Sequence, residues 1–137
     1  MRRAVGYSAD MPERQHKRLL GQRGESEAER FLTAQCHYQV VARNYRCPFG
    51  EIDLVALDGR TIVFIEVRSH TGPGFGDPLA SVNSRKQRQI AKAALHYLSR
   101  HGLCDREARF DVVGVRWEGD RASLAHIKGA FELPWRL

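Results

Sequence analysis

The stretch GEIDLVALDGRTIVFIEVRSH, residues 50–70, carries the strongest structural signal in this chain. Two runs rich in β-forming residues flank Asp58-Gly59, a dipeptide typical of a two-residue type I′ hairpin turn. The second run is apolar at consecutive positions until Glu66, as in a strand covered on both faces. The stretch therefore predicts a β-hairpin inside a sheet that has a layer packed on each side.

A two-residue loop at Asp58-Gly59 also predicts the register of this hairpin. Counting outward from the loop sets Asp53 opposite Phe64 and Glu51 opposite Glu66. Side chains alternate with period 2, so these acids share one face, and Asp53 and Glu66 become diagonal neighbours with Cβ atoms about 7 Å apart. A three-residue loop would move them to opposite faces.

The remaining elements follow from hydrophobic period and from turn residues. In chain order we predict a helix with interruptions at Gly21 and Gly24 and firm over 25–36, strands over 38–45, 51–57 and 61–69, a helix over 84–101, and strands over 108–117 and 122–131. The order αβββαββ predicts an α/β fold with a mixed central β-sheet flanked by helices. Residues 1–12 are expected to form a flexible basic arm, and 13–137 a single domain.

Composition narrows the classes of partner. The net charge of +6 favours polyanions such as nucleic acid. No apolar run approaches the roughly 20 residues of a membrane span, and the N-terminus lacks a secretory signal, so we expect a cytoplasmic protein without a membrane partner. The three cysteines follow neither a disulfide nor a zinc pattern, and we interpret them as free thiols.

Acidic side chains on so apolar a hairpin need compensating charge, because an unpaired carboxylate is costly to bury. One answer is structural: a salt-bridge cluster with Arg68 and with Arg43 or Arg46, or a polar strand end exposed to water. The other answer is Mg²⁺ (or Mn²⁺), a hard cation that takes oxygen ligands. Spacing alone leaves both open.

These residues carry a resemblance. Residues 50–70 resemble the core of the PD-(D/E)xK nuclease superfamily, and more closely the bacterial YraN family, which has a restriction-endonuclease-like fold similar to that of archaeal Holliday-junction resolvases. The likeness extends over roughly residues 17–117 through GQRGE at 21–25, RNYR at 43–46, FGDP at 75–78 and RFDVV at 109–113.

The resemblance implies roles for four residues. Asp53 matches the metal-binding aspartate, Glu66 the acid of the (D/E)xK element, and Glu25 the acid that the first helix often contributes. Arg68 stands in the lysine position, a departure, as is Ile52 where the superfamily has proline. An arginine keeps its proton near neutral pH, so Arg68 is excluded as a base but can stabilise charge. Glu25 also has a structural explanation, since acids favour the first turns of helices.

The second predicted helix has a basic face. Arg85, Arg88 and Lys92 follow one helical stripe, and no acidic residue lies between Asp77 and Asp105. A solvated face and a phosphate-binding face both explain such a stripe. Together with Arg43 and Arg46, these cations are our candidate nucleic-acid contacts.

Two further side chains have mainly structural interpretations. His70 begins a loop after the predicted site and could donate a proton, but an ordinary connector explains it as well. Asp111 alternates with inward-facing valines, which favours a buried, hydrogen-bonded structural acid over a catalytic one.

The sequence thus predicts a metal-dependent endonuclease acting on DNA, including branched or structured DNA. The alternative is a catalytically inactive nucleic-acid-binding module on a nuclease scaffold, and a protein-interaction domain is a third hypothesis. A homodimer is compatible with the likeness to resolvases.

Overall fold

The computed structural model describes residues 11–72 and 76–132. Its elements are α1 (Glu13–Ala34), β1 (Gln39–Cys47), β2 (Gly50–Asp58), β3 (Thr61–Thr71), a short 3-10 helix (Pro78–Ser81), α2 (Ser84–Arg100), β4 (Ala108–Glu118) and β5 (Arg121–Phe131). The predicted order αβββαββ is confirmed, and the short 3-10 helix is an addition. Residues 1–10, most of the predicted arm, lie outside the described residues, and the division into arm and domain stays a prediction.

The five strands form one sheet in the order β1-β2-β3-β4-β5. Only β3 and β4 pair in parallel; the other neighbours are antiparallel. A parallel pair needs a crossover connection, and α2 lies between these strands in sequence. The predicted mixed sheet is therefore correct, and the architecture is consistent with a restriction-endonuclease-like fold.

Each face of the sheet carries its own hydrophobic core. On one face Phe64 of β3 and Ile90 of α2 belong to the same buried cluster. On the other face Leu32 of α1 packs in a second cluster with Val113 of β4. Burial on both sides explains why the third strand reads as a continuous apolar run.

The predicted interruption of the first helix is wrong. The helix α1 runs unbroken for 22 residues through Gly21 and Gly24. A Cβ atom at Gly24 would lie 1.8 Å from Ser69 Oγ, whereas one at Gly21 would meet nothing within 4 Å. Gly24 therefore permits the close approach of α1 to β3, which sequence reasoning mistook for a break.

The predicted hairpin register is wrong by two positions. Asp58 pairs with Thr61, so the loop residues are Gly59 and Arg60 rather than Asp58 and Gly59. Of the two, only Gly59 has positive φ (59°), as in a type II′ rather than a type I′ turn. A shift of two preserves the side-chain face, so the predicted neighbourhood of the acids survives.

No helix within the described part of the chain is both long and apolar enough to cross a membrane. Cys36, Cys47 and Cys104 are free thiols, as predicted.

Candidate metal and nucleic-acid site

The strands β2 and β3 separate at the candidate site. Their pairing ends at Leu54 opposite Ile65, although β3 continues beside β4. Just beyond that pair, the Val67 backbone N–H donates to Asp53 Oδ2 over 2.7 Å. The carboxylate thus replaces a strand partner, and the backbone holds it at the fork. Continuing the pairing places Asp53 directly opposite Glu66, not diagonal to it.

Regular alternation breaks on β2 next to the fork. Ile52 and Val55 both belong to the α2-side cluster, while Leu54 belongs to the α1-side cluster. Positions 52 and 54 therefore do not share a face as an ideal strand requires. The prediction that Glu51 and Asp53 share one face cannot rest on counting alone.

Asn44 binds two further carboxylates, those of Glu25 and Glu51. This residue of β1 adopts φ 51°. In the orientation that satisfies its neighbours, its amide nitrogen donates to Glu25 Oε1 over 2.7 Å and to Glu51 Oε1 over 2.9 Å. Asn44 therefore links Glu25 of α1 to Glu51 of β2.

Burial and mutual repulsion raise the pKa of three of these carboxyls. Burial, then the charge of Asp53, raises the pKa of Glu66 to about 8. Burial also raises the pKa of Asp53 to about 6, against the Val67 hydrogen bond that lowers it. The pKa of Glu25 rises to about 7 through burial and then the charges of Asp53 and Glu51. The positive charge around the cluster therefore does not offset burial and mutual repulsion.

Arg68 and Lys86 offset part of the negative charge of these carboxylates. Arg68 Nε lies 3.6 Å from Glu66 Oε1, and this buried Nε makes no hydrogen bond within the described residues. Lys86, in the first turn of α2, also lowers the pKa of Asp53 and of Glu66, after burial has raised both. The sequence analysis missed Lys86 as a site residue. Its spacing of four from buried Ile90 places it on the inward side of α2, a signal that was available.

The donor chemistry fits a magnesium or manganese ion. Asp53, Glu66 and Glu25 supply only carboxylate oxygens, the ligands that hard divalent cations prefer. Within residues 11–72 and 76–132, however, no three histidine, cysteine, aspartate or glutamate side chains converge tightly enough to form a complete ligand set. Mg²⁺ commonly uses one or two carboxylates and retains waters, so Asp53 and Glu66 suffice as the core of a site.

The predicted nucleic-acid contacts fall into two groups. Arg43 forms a two-pronged bond to Glu29, with both distances at 2.6 Å, and Arg46 Nε lies 3.5 Å from Glu51 Oε2. The stripe residues Arg85, Arg88 and Lys92 are exposed on α2, and no acidic partner is within ion-pair distance of them in the described chain. The stripe residues are therefore more available for binding phosphate, because Arg43 and Arg46 already lie next to carboxylates.

Over residues 24–115 the sequence matches the family described as Uncharacterised protein family UPF0102. The chain belongs to this family. A UPF0102 protein of Geobacter metallireducens is 46% identical over 120 residues, covering 88% of this chain and 98% of the relative. Relatives from Myxococcus xanthus (47% over 116 residues, 85% of this chain and 91% of the relative) and Moorella thermoacetica (46% over 117 residues, 84% and 97%) carry the same name. The span of the UPF0102 match includes the whole carboxylate cluster.

Asp111 of this UPF0102 protein is fully buried, as the sequence predicted. Its carboxylate accepts hydrogen bonds from the Tyr38 hydroxyl, Arg109 Nε, His126 Nε2 and the Gly129 N–H, at 2.8–3.0 Å. Burial alone would raise its pKa, but these bonds hold the pKa at about 2. Every lone pair has a donor nearby, which supports a structural role.

Proposed function

We propose that this protein is a divalent-metal-dependent endonuclease that hydrolyses phosphodiester bonds in DNA. The observation that carries the proposal is the carboxylate cluster at the fork of β2 and β3, where Asp53, Glu66 and Glu25 have raised pKa values. Such a cluster costs folding free energy unless cations or protons neutralise it, and perturbed acids of this kind concentrate at functional sites.

Asp53 and Glu66 would hold Mg²⁺ or Mn²⁺, with Glu25 as a further oxygen ligand or proton acceptor. When bound, the metal lowers the pKa of water and polarises the phosphoryl group. Asp53 is the fixed member, because the Val67 N–H orients its carboxylate. A pKa of about 7 lets Glu25 accept or release a proton near neutral pH.

Arg68 and Lys86 would stabilise the charge that develops on the phosphate. A guanidinium binds phosphate in a bidentate arrangement, and the buried Arg68 Nε has no hydrogen-bond partner among the described residues. Lys86 supplies an ammonium group from α2, whereas Arg68 supplies its guanidinium from β3. Positive groups that are already in place around a reacting phosphate lower the activation barrier, because they do not have to reorganise during the reaction.

The charge distribution favours a nucleic-acid substrate, and the likeness to resolvases favours DNA. The exposed stripe of Arg85, Arg88 and Lys92 has no acidic partner in the described chain, and three phosphate contacts would contribute about −3 to the salt slope of duplex binding. Branched or structured DNA and a homodimer enter the proposal only through the resemblance to resolvases.

The test is a cleavage panel of single-stranded, duplex, flapped and four-way DNA in Mg²⁺, in Mn²⁺ and in EDTA. We expect Asp53→Asn and Glu66→Gln to remain folded and to lose metal-dependent cleavage. Glu118→Gln, which removes an exposed acid from the end of β4, is the matched control and should keep full activity. Full cleavage by either site variant would contradict the assigned roles.

The inactive nucleic-acid-binding module is the second candidate. Arg68 in the lysine position and the unconverged ligand set favour it. Such a module binds DNA equally well in EDTA and shows no Mg²⁺ affinity that depends on Asp53. If neither DNA nor metal binds, the carboxylates belong to the third hypothesis, a protein-interaction domain.

A further inference from the structure

The turn between β1 and β2 exposes a phenylalanine. Cys47 pairs with Gly50, so Pro48 and Phe49 form a two-residue loop at the tip of the hairpin. Phe49 is 48% exposed and, among the described residues, shares large hydrophobic exposure only with Val41 on β1. An aromatic ring that is half exposed on a tight turn is accessible for stacking with a flat ligand.

This ring forms one wall of a cleft of about 500 Å³ against α2. The other lining residues are Lys92, Leu95, His96, Ser99 and Arg100. The Phe49 ring meets the His96 ring edge to face, with centroids 6.1 Å apart. The Tyr45 hydroxyl, 2.5 Å from His96 Nδ1, fixes that imidazole, so both aromatic walls are in place before any ligand arrives.

The tip is held firmly against α2. Gly50 has φ 141°, and a Cβ atom there would lie 2.8 Å from Gln89 Nε2. Gly50 therefore lets the Gln89 side chain pack directly on the hairpin backbone. The position of Phe49 relative to α2 is set by this contact rather than by a free loop.

The charges around the cleft identify the class of ligand. Lys92 and Arg100 are the charged groups that line it, and neither has an ion-pair partner in the part of the chain that the structure describes. Lys92 also belongs to the stripe that begins at Arg85, so the cleft continues the basic face of α2. A flat apolar surface bordered by cations matches a nucleobase attached to phosphates.

We propose that Phe49 stacks against an unpaired base, with the His96 imidazole at the edge of that base, while Lys92 and Arg100 bind the phosphates beside it. This inference rests on the proposed function and specifies its substrate class: nucleic acid with single-stranded bases next to the cleavage point. Phe49 precedes Asp53 by four residues, and β2 begins at Gly50, so at most about 13 Å of chain separates the cleft from the carboxylates. A duplex hides its bases from such a platform, whereas a flap or junction presents them.

The binding experiment uses the full chain in EDTA and measures fluorescence anisotropy with labelled single-stranded, flapped and blunt duplex DNA. We expect Phe49→Ala to weaken single-strand and flap binding about tenfold and blunt-duplex binding less than twofold. Val41→Ala is the matched control, since it truncates an exposed hydrophobic side chain of β1 that lies outside the cleft lining and should leave all three affinities unchanged.

Two further readouts test the geometry. The fluorescence of 2-aminopurine placed in the single strand should be quenched on binding to the unaltered protein and not to Phe49→Ala. Replacing Lys92 and Arg100 together by alanine should reduce the salt slope of single-strand binding by about 1.4, from about 0.7 per phosphate.

Equal losses for all three DNAs, or no loss, would overturn the inference. It would also be overturned if sedimentation showed that Phe49→Ala dissociates a dimer, because a second copy of the chain would then occupy the cleft. Failure of this inference can be distinguished from failure of the proposed function. Cleavage that depends on Asp53 without any effect of Phe49→Ala would refute the base-stacking inference alone. Binding that depends on Phe49 without any cleavage would refute the nuclease hypothesis alone.

Discussion

Neutralising Glu66 should stabilise the protein while removing its metal response. Glu66 is 5% exposed, and burial together with the charge of Asp53 raises its pKa from 4.5 to about 8. The folded state therefore binds a proton that the unfolded state releases, between pH 4.5 and about 8. Across this window the stability of the metal-free protein falls as pH rises. In Glu66→Gln the share of this loss that belongs to Glu66 disappears, while the shares of Asp53 and Glu25 remain.

The size of the effect follows from the same values. A rise in pKa from 4.5 to about 8 corresponds to at most about 5 kcal/mol, at about 1.4 kcal/mol for each tenfold change in proton affinity. Part of the rise belongs to the interaction with Asp53, and the new amide needs hydrogen-bond partners worth about 1–3 kcal/mol. We therefore expect a net gain of about 2 kcal/mol at pH 8, or about 8 °C in Tm.

The assay is thermal unfolding from pH 4 to 9, in EDTA and in Mg²⁺. In EDTA, Glu66→Gln should be less stable than the unaltered protein at pH 4, by the about 1–3 kcal/mol that the new amide costs, and its relative stability should rise until about pH 8. In 10 mM Mg²⁺ the unaltered protein should gain about 2.7 kcal/mol if its Kd is about 0.1 mM, and the variant much less.

Asp111→Asn is the matched control because Asp111 is also a buried acid. Its pKa is held at about 2, against the effect of burial, by donors such as His126 and Arg109. Its ionised form stabilises the fold above about pH 4, and this stability is lost as pH falls toward 2. Asp111→Asn should therefore destabilise the protein at pH 7. A destabilised Glu66→Gln at pH 8 in EDTA would refute the reasoning.

Three further predictions concern the helices and the cations. Gly24→Ala should lower the free energy of unfolding by about 1–2 kcal/mol in urea titrations, whereas Gly21→Ala should raise it by up to about 1 kcal/mol, since only the first Cβ clashes with β3. Lys86→Ala should reduce the rate of DNA cleavage at least tenfold and Arg85→Ala less than threefold, because only the former approaches the carboxylates; the reverse ranking would contradict the site. Arg68→Lys should keep cleavage within about tenfold, because its proposed task is to stabilise charge, and a loss as large as that of a missing metal ligand would argue against that task.

The sequence predicted the hairpin faces between Leu54 and Ile65 because a side-chain period of 2 survives an error of two in the register, but it did not predict the break in alternation between Ile52 and Leu54. Either Asp58-Gly59 or Gly59-Arg60 can form a two-residue loop, and local preference does not distinguish them. The order αβββαββ was predictable for a similar reason, since long periodic segments dominate it.

Contacts between distant elements were harder to predict. The hydrogen bond from Asn44 to Glu25 depends on a positive φ at Asn44, inside a strand. Asparagine tolerates this conformation, but the neighbouring sequence does not predict it. The Arg43 bond to Glu29 depends on how α1 lies over β1. Lys86 was within reach of prediction, because helical spacing from Ile90 already placed it inward.

The Val67 amide has a practical use. Its proton is bound by the Asp53 carboxylate rather than by a neighbouring strand, so its environment changes whenever that carboxylate is protonated or engaged. In a nitrogen-15 spectrum its resonance should move with pH near 6 and again on Mg²⁺ addition. Its exchange with deuterated solvent should slow when the fork is occupied. A single backbone signal can therefore report the state of the site without any substrate present.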